Sequence, residues 1–252
     1  MPLQNRVTPF SEIVAVPQRG ALMGNRGVLH DDRRRIVRFS QGRRWIACLT
    51  EFRGRRRAPM TPGRYTELFF LDEATALAAG HRPCHECRRA AALRFREAWA
   101  RATGEDPRVS LELLDRRLHE DRLEAPGRMR RWSAEAGALP DGAMVEVGGA
   151  AHLVRQGRIA MWTPAGYGPA GVAPAGPVRV LTPRAIVATI AAGYRPEPTT
   201  WAWAGAPPAL HGADASARVT SRFSAAATIA ISTTMTSTRV PTSDVSAAGK
   251  PT

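Results

Sequence analysis

Leu68-Phe69-Phe70-Leu71-Asp72-Glu73-Ala74-Thr75-Ala76-Leu77-Ala78-Ala79-Gly80-His81-Arg82-Pro83-Cys84-His85-Glu86-Cys87 carries the densest structural signals in the chain. Tyr65–Phe70, aromatic and β-branched, predicts a strand. Asp72 is placed to cap a helix, Glu73 sits in its first turn, and Ala74–Ala79 make its body. Gly80 fits the left-handed position that ends a helix. His81 to Cys87 then reads as a tight loop. From about Glu86 to Thr103 the pattern is helical again, with Ala91, Phe95, Ala98, Trp99 and Ala102 on one stripe and Gly104 as the stop.

The same reading extends outward in both directions. Upstream, Glu12–Val16, Arg35–Phe39 and Trp45–Leu49 predict short strands, and Arg53–Gly63 predicts a loop. Downstream, Ser110 caps a helix that runs to about Leu123. Pro126-Gly127 marks a module boundary. Ala143–Val147, Ala151–Val154, Arg158–Trp162 and Val178–Leu181 predict strands, and the Gly/Pro/Ala-rich stretch Thr163–Pro177 predicts a loop. Thr182 then caps a helix with Pro183 at its first position. The expected fold class is α+β: a small mixed sheet with packed helices, then a small β-rich unit. The expected organisation is a module over 1–127, a second over 128–205 that ends in a helix, and a disordered tail over 206–252. Residues 214–252 hold 8 Ala, 7 Ser and 8 Thr, with no sustained apolar period.

Composition narrows the partners. The 252 residues carry a formal net charge of +14, and all but one of the 36 basic side chains are Arg. Residues 1–132 hold 27 Arg against 16 acidic residues, so the basic excess belongs to the first half. A one-sided basic surface favours a polyanion, and nucleic acid is the commonest. No apolar run approaches the roughly 20 residues that cross a bilayer, so no membrane partner is expected. Met1–Phe10 lacks the apolar segment of a secretory leader, and three cysteines do not make a disulfide framework. A cytoplasmic setting is the expectation.

Cys84-x-x-Cys87 is the sharpest chemical feature. Two thiolates at this spacing, just before a helix, can bind one tetrahedral metal ion, and zinc is the expected one. The helix start and Arg82, Arg88 and Arg89 favour the thiolate form. A dithiol redox pair fits the same spacing. Cys48, at the end of a strand, is the only other cysteine, and a small core hydrophobe is its plain alternative. The fourth ligand is then His, Asp, Glu or water. His81 gives an H-x-x-C-x-x-C spacing, and His30, just before Asp31, is the favoured fourth ligand. The predicted metal set is therefore Cys48, Cys84, Cys87 and His30.

The run from Leu68 to Cys87, with its aromatic strand end, A-L-A-A-G helix and R-P-C-x-x-C, resembles the Ada-type zinc-binding domain. That domain is the N-terminal module of a bacterial DNA repair and regulatory protein. The resemblance implies zinc bound through four cysteines: this downstream pair and an upstream C-x-x-x-C pair. One upstream cysteine of the family also accepts a methyl group from a DNA phosphotriester. Aligned without gaps, the upstream positions fall at about Arg53 and Arg57. The resemblance therefore implies Cys84 and Cys87 as ligands and does not carry methyl transfer over.

Three functions follow from these residues. The first is a zinc module that associates with nucleic acid, DNA before RNA, through Arg53, Arg55, Arg56, Arg57, Arg82, Arg88 and Arg89, whose guanidinium groups suit phosphate. The second is an enzyme, either a zinc-thiolate alkyl acceptor or a zinc hydrolase. The third is an interaction protein whose zinc is purely structural. The first is the reading adopted, with DNA damage as the context that the resemblance implies.

Overall fold

Helix α1 (Glu73–Ala78) is short, and every residue in it is buried. Its four apolar residues, with Glu73 and Thr75 bonded inside the fold, suit a core position, and its small side chains let neighbours approach on three sides. Ala76 packs with strand residues Val7, Leu22, Ala47, Leu68 and Phe70. Leu77 packs with Phe95, Trp99, Leu114, Leu118, Ile186 and Ile190. Ala74 and Ala78 pack with Met144, Ala151, Leu153 and Leu181. The computed structural model describes residues 1–54 and 58–197, all within one compact unit. The fold is α+β, with four α-helices and two six-stranded sheets among the described residues.

The first sheet is mixed. Its strands are β1 (Arg6–Val7), β2 (Ile13–Val14), β3 (Leu22–Asn25), β4 (Ile46–Leu49), β5 (Leu68–Phe70) and β6 (Arg82–Pro83). Their order is β2-β1-β5-β3-β4-β6, with β1·β5 and β4·β6 parallel. Helices α2 (Arg89–Thr103) and α3 (Leu111–Arg122) follow, then a hairpin of β7 (Leu123–Ala125) and β8 (Arg128–Met129) at the expected Pro126-Gly127 boundary. The second sheet is antiparallel throughout, in the order β13-β12-β11-β10-β14-β9. Its strands are β9 (Trp132–Glu135), β10 (Met144–Val147), β11 (Ala150–Arg155), β12 (Arg158–Thr163), β13 (Gly166–Val172) and β14 (Pro177–Val180). Helix α4 (Arg184–Ala191) closes back onto α2 and α3 through Ile186 and Ile190. The segments on either side of Pro126-Gly127 thus share cores.

The ends of α1 follow from their sequence. The Asp72 carboxylate accepts from the Thr75 amide at 2.8 Å and the Thr75 hydroxyl at 2.7 Å. The Gly80 amide donates to the Leu77 carbonyl and the His81 amide to the Ala76 carbonyl, the paired bonds of a Schellman motif. Gly80 has φ +83°, and a Cβ there would lie 2.9 Å from Cδ of Arg122. The second sheet locks this helix as well. Tyr167 donates to Asp72 at 2.7 Å, and the Trp162 indole donates to Thr75 at 3.0 Å.

Three local expectations are corrected. Arg35–Phe39 is not a strand; only Ile36 pairs, with His30, in an isolated bridge. The stretch read as a loop over 163–177 contains β13, which pairs with β12. Its Pro169 cannot donate to a ladder, and β13 lies at a sheet edge, where that donor is not needed. Thr182 does not cap α4; its hydroxyl accepts from the Met144 amide. Pro183 holds the cap position, and the Asp121 carboxylate of α3 accepts from Ala185 N–H at 2.9 Å. The expected tail over 206–252 lies outside the described residues.

Candidate metal centre

Two backbone contacts bring the cysteines together. Parallel pairing of β4 with β6 sets Ala47 beside Pro83, and the Cys84 amide donates to the Ala47 carbonyl at 2.9 Å. Cys48 and Cys84, each one residue further on, therefore lie side by side. The chain then turns through 85–87, with the Arg88 amide on the Cys84 carbonyl at 3.0 Å. That turn returns Cys87 to the same place, where its sulfur accepts from Leu49 N–H at 3.4 Å. The three Sγ atoms all lie within 4.8 Å of one another. Four Zn–S bonds of about 2.3 Å place tetrahedral sulfurs about 3.8 Å apart, so a small contraction brings this trio to a metal ion. Three cysteines so arranged could hold one.

Electrostatics favours a first thiolate at Cys84. The Cys48 thiol beside it, followed by the backbone N–H groups of Cys87 and Glu86, lowers the Cys84 thiol to about 5 against the cost of burial. Cys48, the donor in that contact and itself buried, is raised. Burial raises Cys87. Metal binding releases whichever protons remain on the three sulfurs.

The predicted fourth ligand, His30, is not part of this group. Its Nδ1 lies 2.6 Å from the Thr66 hydroxyl and its Nε2 lies 3.3 Å from the Thr61 carbonyl, so hydrogen bonds occupy both ring nitrogens. His81 is also elsewhere. Its ring packs between Trp45 and Phe70, at centroid distances of 5.3 and 4.7 Å, fully buried. Among the described residues, no His, Asp or Glu joins the three sulfurs.

Two predicted phosphate contacts are structural instead. Arg82 is 3% exposed and makes a two-pronged pair with Asp115, at 2.7 and 2.8 Å. Arg88 is 5% exposed and bonds Glu73 at 2.9 Å and Glu197 at 3.0 Å. A guanidinium removed from water needs a countercharge, and both found one inside the fold. Glu73 is itself pinned by the Tyr194 hydroxyl at 2.6 Å and the Glu197 amide at 2.6 Å; burial nevertheless raises its carboxyl, with Arg88 opposing. Arg53 and Arg89 are exposed, and Arg55, Arg56 and Arg57 lie outside the described residues. No described helix is long and apolar enough to cross a membrane.

No protein-family model, no curated protein and no solved structure matches this chain. Asp115 and Tyr194, which with Glu73 position the cysteine turn, carry no signal in the sequence, and Glu73 reads there only as a first-turn helix residue. The partners of these three lie 33, 121 and 15 residues away, on other elements.

Proposed function

We propose that this protein is a zinc-thiolate protein of the Ada-like type that associates with nucleic acid. The observation that carries the zinc reading is the convergence of the three sulfurs within 4.8 Å, from a strand edge and the turn before a helix. Zinc suits it because soft thiolates select zinc among the common divalent ions, and an N–H donor to sulfur stabilises the charge they bear.

Exposed arginine supports the nucleic-acid reading. Arg33, Arg34, Arg38, Arg43 and Arg44 stand on the long β3–β4 connection, Arg53 follows Cys48 by five residues, and Arg89 follows Cys87 by two. A groove of about 480 Å³ places exposed Arg38 beside the rings of Phe10 and Phe39, with Arg128 and Arg179 on its rim in surface pairs with Glu124 and Glu146. Guanidinium groups for phosphate beside aromatic faces for bases are the elements of a single-strand site.

The test joins metal analysis to binding of a labelled DNA strand, using wild type, Cys48→Ser and Arg53→Glu/Arg89→Glu. One zinc per wild-type chain, lost in Cys48→Ser, supports the centre. Affinity that falls with salt, at about 0.7 decades per decade of salt for each phosphate contact, and that drops about tenfold or more in the double variant, supports the partner. A protein that binds neither zinc nor DNA at low salt refutes the proposal.

A further inference from the structure

We propose that the groove between the β1–β2 turn and the β3–β4 connection receives one unpaired nucleotide of a DNA strand, its base against Phe10 and Phe39 and its phosphate on Arg38. The inference rests on the nucleic-acid reading above and names the unit that this groove takes. Phe10 and Ser11 come from the turn, and Arg38 and Phe39 from the connection. The groove volume of about 480 Å³ lies within the roughly 300–1,000 Å³ of sites that enclose a small ligand. That is room for a base with its sugar and phosphate. A base paired and stacked in a duplex has no free face for these rings, so the nucleotide has to be unpaired.

The wall that carries Phe10 is a strained turn held from two sides. The Thr8 amide donates to the Glu12 carbonyl at 3.0 Å and the Ser11 amide to the Thr8 carbonyl at 2.8 Å. Ser11 itself lies in left-handed backbone, at φ +73°. A serine keeps that conformation only where its surroundings over-determine it. Two arginines do so here. Arg26 donates to the Ser11 hydroxyl at 2.7 Å and to the Ser11 carbonyl at 3.1 Å, and Arg131 donates to the Phe10 carbonyl at 2.8 Å. The backbone that bears Phe10 is thus fixed before a ligand arrives, as a pre-organised site requires.

Charge selects an anion. Arg26 is fully buried and touches the lining twice, at Ser11 and through its guanidinium over the Phe39 ring at 4.3 Å. Burial lowers it to about 9, so it stays a cation at neutral pH. Among the described residues, no carboxylate forms an ion pair with Arg26, Arg38 or Arg131, and Nε of Arg26 has no partner. Against these three guanidinium groups the lining sets one unpaired acid, the exposed Glu12. A cation withdrawn from water without a countercharge gains from an anion placed nearby. Arg38, exposed at the groove, is the group that reaches a phosphate, while Arg26 acts from behind the ring. Aromatic faces accept any base, so the groove reads an unpaired base rather than a sequence.

The experiment uses the full-length protein and an oligothymidylate of about ten nucleotides with one central 5-iododeoxyuridine, which crosslinks to a stacked aromatic ring under ultraviolet light. Mass spectrometry then locates the adduct. The expected adduct lies on Phe10 or Phe39. A blunt duplex of the same sequence should compete at least about tenfold more weakly than the unlabelled strand, because it offers no unpaired base. Arg38→Gln should weaken strand binding and take about 0.7 off the salt slope, the share of one phosphate. Arg128→Gln, at a rim arginine already paired with Glu124, should leave both unchanged. An adduct outside the groove, equal competition by the duplex, or a wild-type salt slope in Arg38→Gln overturns the inference. A wild-type chain that binds no strand at low salt refutes the nucleic-acid reading itself, a separate outcome from these.

Discussion

Asp115→Ala is the substitution that tests most directly how the cysteine turn is held. Asp115 on α3 makes two hydrogen bonds to Arg82, the second residue before Cys84, with side-chain exposures of 3% for Arg82 and 8% for Asp115. Truncation leaves Arg82 with the Pro83 carbonyl at 3.0 Å and no carboxylate. It also removes a favourable charge from the field at Arg122, which is fully buried and already opposed by Arg26 and Arg82. Breaking a buried pair from one side costs about 3–5 kcal/mol, and a shared countercharge puts this case toward the upper end. For a unit of this size each kcal/mol lowers Tm by about 2–4 °C, so a fall of roughly 8–20 °C is expected. The assay is urea and thermal unfolding, with zinc affinity measured on the protein that remains folded. Zinc affinity should fall too, because Arg82 anchors β6. The double variant Arg82→Met/Asp115→Leu should recover most of the loss, since apolar packing replaces the pair without stranding a charge. A loss below about 1 kcal/mol, the size of an exposed ion pair, would refute the claim that this pair is a buried strut.

Three further outcomes are expected. Gly80→Ala should cost more than about 1 kcal/mol in urea unfolding, because φ is +83° and the new Cβ meets Arg122 at 2.9 Å; a neutral result would show that the α1 terminus can relax. Tyr194→Phe removes one of the bonds that pin the buried Glu73 carboxylate and should cost about 1.5–3 kcal/mol, read as a shift of the unfolding midpoint with unchanged slope. Burial, with Arg26 and Arg122 next in effect, holds His81 well below its usual value of 6.5, and the Ala79 and Ala76 carbonyls, outside hydrogen-bond geometry, offset little of this. The unfolded chain takes up the proton that the folded one refuses. The His81 contribution is therefore present above pH 6.5 and is lost as pH falls below it, at up to about 1.4 kcal/mol per pH unit. His81→Phe should flatten that part of the stability profile, and an unchanged slope would exclude His81 as its source.

The parts legible in the sequence were those with local causes. Asp72, Gly80, Ser110 and Gly104 announce helix ends through side-chain caps or left-handed backbone, and each does so in the structure. Four strands of the second sheet, β10, β11, β12 and β14, carry alternation or turn glycines and form close to where those signals place them, whereas β9 was not expected. The misreadings all come from tertiary context. A Gly/Pro/Ala stretch has no strand signature, yet β13 forms because β12 offers it an edge. Thr182 looks like a cap, but the Met144 amide takes its hydroxyl. In the site, Cys84 and Cys87 were visible from spacing. Cys48 joins them only because β4 and β6 pair in parallel across more than thirty residues. Arg82 and Arg88 read as surface charge because nothing local to an arginine says whether a distant carboxylate waits for it inside.

The burial of those two arginines changes what the A-L-A-A-G-H-R-P-C run encodes. Its alanines make α1 thin enough to sit among three cores. Its glycine turns the chain toward β6, and its arginine fastens β6 to α3. Arg88, on the far side of the cysteines, is fastened to Glu73 at the start of the same short helix. The two cysteines are thus carried on a turn tied at both ends to elements whose positions α1 sets. Cys48 arrives from a strand packed on the same helix through Ala47. A mobile loop bearing C-x-x-C would have to order itself on binding a metal and would lose affinity for it. Here the fold has already met that ordering cost, so the sulfurs stand close together in a chain that contributes no fourth one.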